Sequence, residues 1–314
     1  MDCNWRIKNN LERTPEDEVG SGEEGILDLW RAAITFGIIL TMVRRIVIVR
    51  HGERVDHVFG MNDWLDLAFD NQGRYRKINL NMPDGLPIRA GAPRSFYKDG
   101  PLTQVGVLQG QLVGKGLLEE SILRPGFEVF VSPAYRSIQT ATAMLEGMKS
   151  NSLLKIEPYL FEWTGWYSEG IPSFLTTPEL LANGFKNIDT SYNPVTKMSD
   201  LVVDEEVANY YTRTYDLVNR LIASTDNDLL LVAHGSTLEV GTRQLLGHPP
   251  RTTHKDMLQT LFAVPYGGVA VVELDEEVNK WKIIKNGKIS ISHSAVSNFC
   301  SHKNFVERDI NYLK

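Results

Sequence analysis

Cysteine is scarce in this 314-residue chain, which has only Cys3 and Cys300, one near each end. A secreted protein of this size usually carries more cysteines, paired in disulfides. We therefore expect two free thiols and a reducing, cytoplasmic compartment.

Basic residues are not in excess either. Lys and Arg number 33 against 39 Asp and Glu, so the formal net charge is −6. A general nucleic-acid-binding protein needs a basic face, and nucleic acid is therefore not an expected partner. The sequence also lacks His, Cys and Asp at metal-ligand spacing, so we expect neither a metal nor another cofactor.

Long hydrophobic runs are missing as well. The most apolar segment, 26–43, contains Asp28 and Arg31, and the uninterrupted part, 32–43, is too short to span a bilayer. Acidic residues before it and the lack of a small-residue cleavage site argue against a signal peptide. We expect a short helix packed on the domain and no membrane partner, with a peripheral anchor as the alternative.

Buried strands and helices alternate along the middle of the chain. Apolar runs predict strands at 46–49, 127–131, 153–156 and 229–233, and amphipathic patterns predict helices at 102–120, 135–148, 177–183, 205–224 and 236–246. Two further strands, 268–274 and 281–284, are predicted as a hairpin. This order predicts a three-layer α/β fold with a mainly parallel central sheet and helices on both faces.

One domain is predicted over 42–290, because no linker interrupts that range. An acidic stretch predicts a partly disordered N-terminal extension over 1–41, and 291–314 is predicted to be a C-terminal tail. Within the domain, the ranges 55–100 and 158–203 lack a sustained hydrophobic periodicity, but they contain aromatic residues that favour burial. Loops this long are usually functional, so we expect both insertions to cover one edge of the domain and line a pocket.

Polar residues follow three of the predicted strands at the point where each strand ends. The first strand is followed by the letters RHG, the second by SPAYR and the strand at 229–233 by HGS. The carboxyl ends of parallel strands share one sheet edge, where ligands bind. We therefore expect His51 and His234 to meet there beside Arg50 and Arg136, with Arg54 as a third arginine.

Histidine and arginine side chains in one place favour phosphoryl transfer to nitrogen. Guanidinium groups bind phosphate oxygens and lower the pKa of a nearby imidazole, which keeps a histidine nucleophile neutral. The leaving oxygen then needs a proton, which a carboxylic acid can supply. Glu162 lies between Phe161 and Trp163, an apolar setting expected to raise its pKa, and Glu157 is the competing candidate. The other histidines, predicted to be surface or structural, are His57, His248, His254, His293 and His302.

Four segments resemble the histidine phosphatase superfamily, also called the phosphoglycerate-mutase-like superfamily. They are RHGER at 50–54, SPAYRSIQTA at 132–141, EPYLFEW at 157–163 and AHGSTLE at 233–239. The resemblance implies that His51 is the phosphorylated nucleophile and Glu162 the proton donor, with His234 also in the catalytic set. It further implies a phosphate pocket, formed by Arg50, Arg54, Arg136 and His234.

Further segments are similar to one branch of that superfamily, the Sts-type phosphatase domains and the ecdysteroid-phosphate phosphatases. They are RHGERVD at 50–56, NLNMPDGLP at 79–87, FEWTGWY at 161–167, NIDTSYNP at 187–194 and LLGHPPR at 245–251. Mutases usually carry Glu-Trp-Asn after RHG, which this chain lacks, and secreted acid phosphatases carry a proline where Asp56 stands. The length leaves no room for the ubiquitin-binding and SH3 domains of Sts proteins, so we expect a stand-alone phosphatase.

These observations predict a metal-independent phosphomonoesterase that works through a phosphohistidine on ring-bearing alcohols. The expected substrate is either a small-molecule steroid phosphate or a phosphotyrosine protein, and the sequence does not choose between them. The alternatives are a phosphoglycerate-mutase-type phosphotransferase and a catalytically weak phosphate-binding scaffold. The sequence does not fix the oligomeric state and is compatible with a homodimer.

Overall fold

The computed structural model describes residues 44–61, 63–284, 292–293 and 296–297. The domain boundaries predicted at 41 and 290 and the helix expected within 26–43 lie outside the described residues. So do both cysteines, His302 and the side chain of His293. The boundaries and the helix named here therefore stay predictions. None of the helices in the described ranges is long and apolar enough to cross a membrane.

A mixed sheet of six strands forms the centre of the fold. Its strands are β1 (Arg45–Arg50), β2 (Glu128–Val131), β3 (Leu154–Ile156), β4 (Leu229–Ala233), β5 (Val269–Asp275) and β6 (Lys280–Ile283), in the order β3-β2-β4-β1-β5-β6. The first four are parallel, whereas β5 runs antiparallel to β1 and forms the predicted hairpin with β6. Because β5 is reversed, the residues before it lie at the edge where β1 ends. A separate two-stranded antiparallel sheet consists of β7 (Ser292–His293) and β8 (Val296–Ser297).

Helices cover both faces of this sheet. In the described ranges they are α1 (Val55–Phe59), α2 (Asp63–Ala68), α3 (Gln104–Glu119), α4 (Tyr135–Met148), α5 (Thr177–Ala182), α6 (Val207–Ser224), α7 (Thr237–Arg243) and α8 (His254–Ala263). Short 3₁₀ turns lie at Arg94–Phe96, Pro158–Leu160, Thr164–Trp166 and Met198–Asp200.

The two faces of β1 show how the layers are held together. Val47 and Val49 pack in the cluster that includes α3 and α4, while Ile46 and Ile48 pack in the cluster that includes α6 and α7. All four side chains are fully buried. Burial of an aliphatic side chain contributes about 1.5–3 kcal/mol, so these alternating residues fix the strand between two helical layers. The predicted three-layer architecture is confirmed.

Element boundaries follow local signals where those signals are strong. Thr103 is the N-cap of α3, because its side chain accepts a hydrogen bond from the Gly106 amide. The predicted bounds of α4 and β4 are confirmed, whereas α7 ends at Arg243 rather than at 246. Two helices, α1 and α2, are too short to show a hydrophobic periodicity and were not predicted from the sequence. Nor was α8, although its N-cap Thr253 is a usable signal.

The insertion at 55–100 has a small core of its own. Its buried cluster contains Trp64 and Phe96, with ring centroids 6.1 Å apart, and Phe69 and Tyr75 pack against them. The sequence predicts that this insertion lines a pocket, but these four aromatic residues mainly form its own core. Most of them bury one another because together they give the insertion the apolar contacts that a long loop lacks.

Candidate active site

His51 is the first residue after β1 and lies at the edge where the parallel strands end. Its backbone amide donates to the Ala233 carbonyl of the neighbouring strand at 2.9 Å, which fixes its position beside the end of β4. The ring Nδ1 lies 2.8 Å from the Gly52 carbonyl oxygen. Because a carbonyl only accepts, Nδ1 carries the proton and Nε2 keeps its lone pair.

Gly52 permits the close approach that places His51. A Cβ atom at this position would lie 2.3 Å from the carbonyl oxygen of Gly106, in the first turn of α3. The Gly52 amide also donates to Thr140 Oγ1 of α4 at 3.0 Å. The strand end is therefore clamped between two helices, and only glycine fits at this contact.

His234 follows β4 and is completely buried. Its ring centroid lies 5.5 Å from that of His51, at an interplanar angle of 72°. Arg136 Nη2 lies 3.2 Å from Nδ1 of His234, and Ser132 Oγ lies 2.9 Å from Nε2. Since arginine only donates, Nδ1 accepts and Nε2–H donates to the serine. The prediction that these two histidines meet is confirmed.

Arg136 contributes buried donors to the same place. Its Nη2 donates to Glu162 Oε1 at 2.5 Å. Within the described ranges, Nε and Nη1 have no hydrogen-bond partner, and Nη1 is 3.7 Å from Asp99 Oδ1. Unsatisfied buried donors are costly, which indicates a site for an oxygen-rich anion.

The other two arginines line the cleft in front of His51. Arg54 pairs with Asp56 through an Nε–Oδ1 contact of 2.9 Å and an Nη2–Oδ2 contact of 2.5 Å. Arg54 therefore lines the cleft and is also part of a buried ion pair. Arg50 places its guanidinium carbon 4.4 Å from the ring centroid of Tyr266 and donates to the Val264 carbonyl.

Burial is the largest cause that lowers the pKa of both histidines well below the usual value. For His51, the charges of Arg136 and Arg50 lower the pKa further, as expected from the sequence. For His234 the carboxylate of Glu162 opposes the effect, but the pKa remains low. Both imidazoles are therefore neutral at neutral pH.

Glu162 is the carboxylate that reaches the cleft, and its pKa differs from the prediction. Burial raises this pKa, but His234, Arg136 and Arg54, with a hydrogen bond from Tyr167, outweigh burial and lower the pKa to about 2. The expected rise was wrong because Arg136, Arg54 and other groups distant in sequence act on this carboxylate, and the two adjacent aromatic residues do not reveal them. The Tyr167 hydroxyl donates to Oε1 at 2.6 Å.

Glu157 lies outside the residues that line the cleft. Its carboxylate accepts hydrogen bonds from the Val195 amide at 2.7 Å and from Thr196 Oγ1 at 2.8 Å, and also from the Tyr192 hydroxyl. Burial raises its pKa. Glu157 therefore anchors the insertion at 158–203 and is not placed to reach a ligand beside His51.

The comparisons with known proteins agree with this geometry. Residues 93–286 match the histidine phosphatase superfamily (branch 1). The chain belongs to this superfamily. The matched range includes Arg136, Glu162 and His234 but begins after β1, so the RHG segment stands outside it.

Two curated relatives can be aligned with most of this chain. An ecdysteroid-phosphate phosphatase from Drosophila melanogaster is 40% identical over 255 residues, which are 80% of this chain and 33% of that protein. Human ubiquitin-associated and SH3 domain-containing protein B is 38% identical over 262 residues, or 82% of this chain and 40% of that protein. The chain thus corresponds to about a third to two fifths of these relatives.

A solved structure shares the fold. The crystal structure of ecdysone phosphate phosphatase from Bombyx mori in complex with tungstate superposes with a TM-score of 0.67 and 29% identity. The match covers 78% of this chain and 93% of that one. It supports the phosphoglycerate-mutase-like class for the six-stranded sheet.

Loop residues complete the cleft of this superfamily member. The cleft has a volume of about 260 Å³ and is lined by Arg50, His51, Arg54, His57, Met61, Tyr97, Lys98, Glu162, Trp166, Tyr167, Gly235 and Leu261. The sequence analysis assigned no site role to His57, Met61, Lys98 or Leu261, because no strand end or motif marks them. His57 was predicted to be surface or structural, and it is exposed, yet it lines the cleft.

Metal ligands are not grouped in the described part of the chain, where no cluster of three His, Cys, Asp or Glu side chains could hold an ion. The remaining described histidines, His248 and His254, are exposed and do not line the cleft.

Proposed function

We propose that this chain is a phosphomonoesterase that hydrolyses phosphate esters of ring-bearing alcohols through a phosphohistidine at His51. One observation carries the proposal. The His51 and His234 rings lie 5.5 Å apart next to Arg136, whose buried Nε and Nη1 have no described hydrogen-bond partner. An anion with several oxygens would satisfy those donors and place its central atom beside the nucleophile.

In the first step, Nε2 of His51 attacks the phosphorus atom and the bond to the alcohol oxygen breaks. The hydrogen bond from Nδ1 to the Gly52 carbonyl holds the ring and stabilises the positive charge that develops on it. Arg50, Arg54 and Arg136 bind the phosphoryl oxygens, where negative charge is concentrated in the transition state. His234 lies beside the same oxygens, and its Nδ1 accepts a hydrogen bond from Arg136 Nη2, which helps to position that guanidinium.

Glu162 is proposed to give its proton to the departing oxygen. Its pKa of about 2 describes the cleft without substrate. A phosphate dianion beside the three arginines offsets their charge, so the pKa of Glu162 rises and the carboxyl group takes up a proton on binding. That proton moves to the leaving oxygen as the P–O bond breaks.

In the second step, water attacks the phosphorus atom from the side that the alcohol has left. The carboxylate of Glu162 accepts one proton from that water, the P–N bond breaks, and inorganic phosphate and neutral His51 are formed. The acid of the first step is thus regenerated for the next cycle.

Two substrate classes suit the cleft. The relatives named for ecdysteroid phosphate support a steroid phosphate, and an aromatic wall that includes Tyr97, Trp166 and Tyr167 would also accept phosphotyrosine. We place this activity in a reducing cytoplasmic setting, which the scarcity of cysteine supports.

The test is release of phosphate from p-nitrophenyl phosphate in the presence of EDTA. We expect turnover by the wild-type chain and a loss of at least about 10⁴-fold in His51→Ala, because the nucleophile is removed. His248→Ala, which changes an exposed histidine outside the cleft, is the matched control and should keep full activity. Equal, negligible rates for the wild type and His51→Ala would support the scaffold alternative.

A second set of substrates separates the remaining alternatives. Rates are compared for a steroid phosphate, a phosphotyrosine peptide and 3-phosphoglycerate. Net release of phosphate from either ring-bearing ester supports the proposal. Transfer of phosphate between hydroxyls of phosphoglycerate without net release would instead support a mutase.

A further inference from the structure

His57 is a cleft residue that the proposed chemistry leaves without a task. It lies on α1 and is exposed at the opening of the cleft. Its Nδ1 is 2.7 Å from the hydroxyl oxygen of Tyr266. No described residue forms a hydrogen bond with its Nε2, so that atom is available to a molecule in the cleft.

Tyr266 is a fixed partner for this imidazole. Its ring centroid lies 5.8 Å from that of His51, and the Arg50 guanidinium covers its ring at 4.4 Å. The next residue is tied to the same strand end, because the Gly267 amide donates to the His51 carbonyl at 3.2 Å. The hydroxyl that holds His57 is thus positioned by the phosphate end of the cleft itself.

The protonation of the pair follows from its surroundings. Burial raises the pKa of Tyr266, so the phenol keeps its proton. Burial and then the charge of Arg54 lower the pKa of His57 to about 4, so the imidazole is neutral. A phenol is the stronger donor and a neutral imidazole nitrogen the stronger acceptor, which puts the hydroxyl proton toward Nδ1 and leaves a proton on Nε2.

The surroundings of His57 define what this N–H can bind. Met61, Trp166 and Leu261 give the cleft apolar walls. The ammonium group of Lys98 is already 3.3 Å from Glu169 Oε2, and the guanidinium of Arg54 is paired with Asp56. A neutral donor between apolar walls suits an uncharged oxygen acceptor on a ring system, because a charged group would lose more hydration there.

We propose that His57 is a specificity-determining residue whose Nε2–H donates a hydrogen bond to an uncharged oxygen, such as a carbonyl or hydroxyl, on the leaving group. Tyr266 sets the direction of that donor. This inference rests on the proposed phosphatase function, because it concerns the alcohol half of the same substrate. It names a feature that favoured substrates share: a flat apolar body with an oxygen acceptor away from the phosphate.

The experiment compares two bicyclic esters of similar size. 4-Methylumbelliferyl phosphate carries a lactone carbonyl, and 2-naphthyl phosphate has no acceptor on its ring. The ratio of their kcat/KM values is measured for the wild type, His57→Phe, His57→Gln and Tyr266→Phe. The difference in leaving-group acidity between the esters cancels when these ratios are compared between variants.

We expect His57→Phe to lower the ratio about five- to tenfold, the effect of one neutral hydrogen bond. His57→Gln retains an N–H donor and should recover part of the ratio. Tyr266→Phe keeps the ring against Arg50 and His51 but releases His57, so its ratio should fall by an intermediate factor. His248→Phe is the matched histidine control and should leave the ratio unchanged.

Two results would overturn the inference while leaving the phosphatase function in place. One is a kcat/KM that stays unchanged for both esters in His57→Phe, with an active wild type. The other is an equal fall for both esters, which would mean that His57 only supports Tyr266 and Arg50. A wild type that releases phosphate from neither ester would refute the proposed function and this inference together.

Discussion

The two ends of the cleft are built in different ways. The floor is formed by His51 and Glu162, which line the cleft, and by Arg136 and His234, which contact them without lining it. All four side chains are buried and are held by ion pairs and hydrogen bonds. The mouth, consisting of His57, Met61, Tyr97, Trp166 and Leu261, comes from short helices and loops. Met61 and Tyr97 are 52% and 39% exposed.

This difference assigns the two ends to different halves of a substrate. The floor is fixed before a ligand arrives, as suits the phosphoryl group that all substrates share. The mouth is partly exposed and comes from loops and short helices, so its fit can differ from one alcohol to another. Changes in the floor should therefore affect every substrate, and changes in the mouth should depend on the substrate.

After removal of the nucleophile itself, the largest effect is expected from Glu162→Gln with a poor leaving group. Loss of the proton donor should lower kcat/KM about 10²- to 10⁴-fold for an alkyl phosphate, because an alkoxide cannot leave unprotonated. The fall should be much smaller for p-nitrophenyl phosphate, whose phenolate leaves without help. Steady-state kinetics with both esters provides the measurement.

Glu157→Gln is the matched control for that experiment. Glutamine loses part of the hydrogen bonding to Val195, Thr196 and Tyr192, so thermal unfolding should begin at a lower temperature. Its kcat/KM should stay close to that of the wild type for both esters. A leaving-group dependence in Glu157→Gln, and none in Glu162→Gln, would reverse our assignment of the acid.

Arg136→Lys should have the next largest effect. Lysine keeps the charge but not the planar donors, so we expect kcat/KM to fall about 10²-fold for every ester. A matched comparison is Arg243→Lys, which changes an arginine that pairs with Glu239 away from the cleft. A fall confined to one ester would contradict the division between floor and mouth.

Trp166→Ala tests the mouth. Loss of this aromatic surface should lower kcat/KM about tenfold for a steroid phosphate, because apolar contact with the ring system is lost. For a small ester such as methyl phosphate the change should stay within about twofold, since such an ester does not reach the mouth. Equal losses for both esters would show that the side chain supports the floor instead.

Tyr167→Phe should have the smallest effect, seen as a shift in pH dependence. The Tyr167 hydroxyl donates to Glu162 and lowers its pKa, so removing it should raise that pKa by about one unit. Activity falls when rising pH removes the proton from Glu162 in the substrate complex. The falling limb of the kcat profile should therefore move to higher pH, and a shift to lower pH would contradict the proposed acid.

The sequence was most informative about site residues that directly follow a buried strand. Unbroken apolar runs marked β1 and β4, and the residues directly after them had to share one edge of a parallel sheet. That reasoning is enough to place His51 beside His234. Arg136 could be placed in the same way, because it stands in the first turn of a helix that follows β2.

The rest of the site depends on distances that no linear pattern contains. The pKa of Glu162 is lowered by groups from three other segments, Arg54, Arg136 and His234, so its apolar neighbours in the chain were misleading. His57 and Leu261 reach the cleft through α1 and α8, whose positions follow from tertiary packing. Glu157 could be separated from Glu162 only after the insertion at 158–203 was seen to enclose it.

The reversed direction of β5 has a consequence for how such an enzyme could be altered. The turn before that strand brings Tyr266 to the nucleophile, and its Val264 carbonyl and Gly267 amide bond Arg50 and His51. Removal of the Tyr266 hydroxyl should alter only the choice of alcohol, whereas loss of its ring, which packs on Arg50, should also disturb the phosphate end. One turn thus links the selection of the alcohol to the position of the nucleophile.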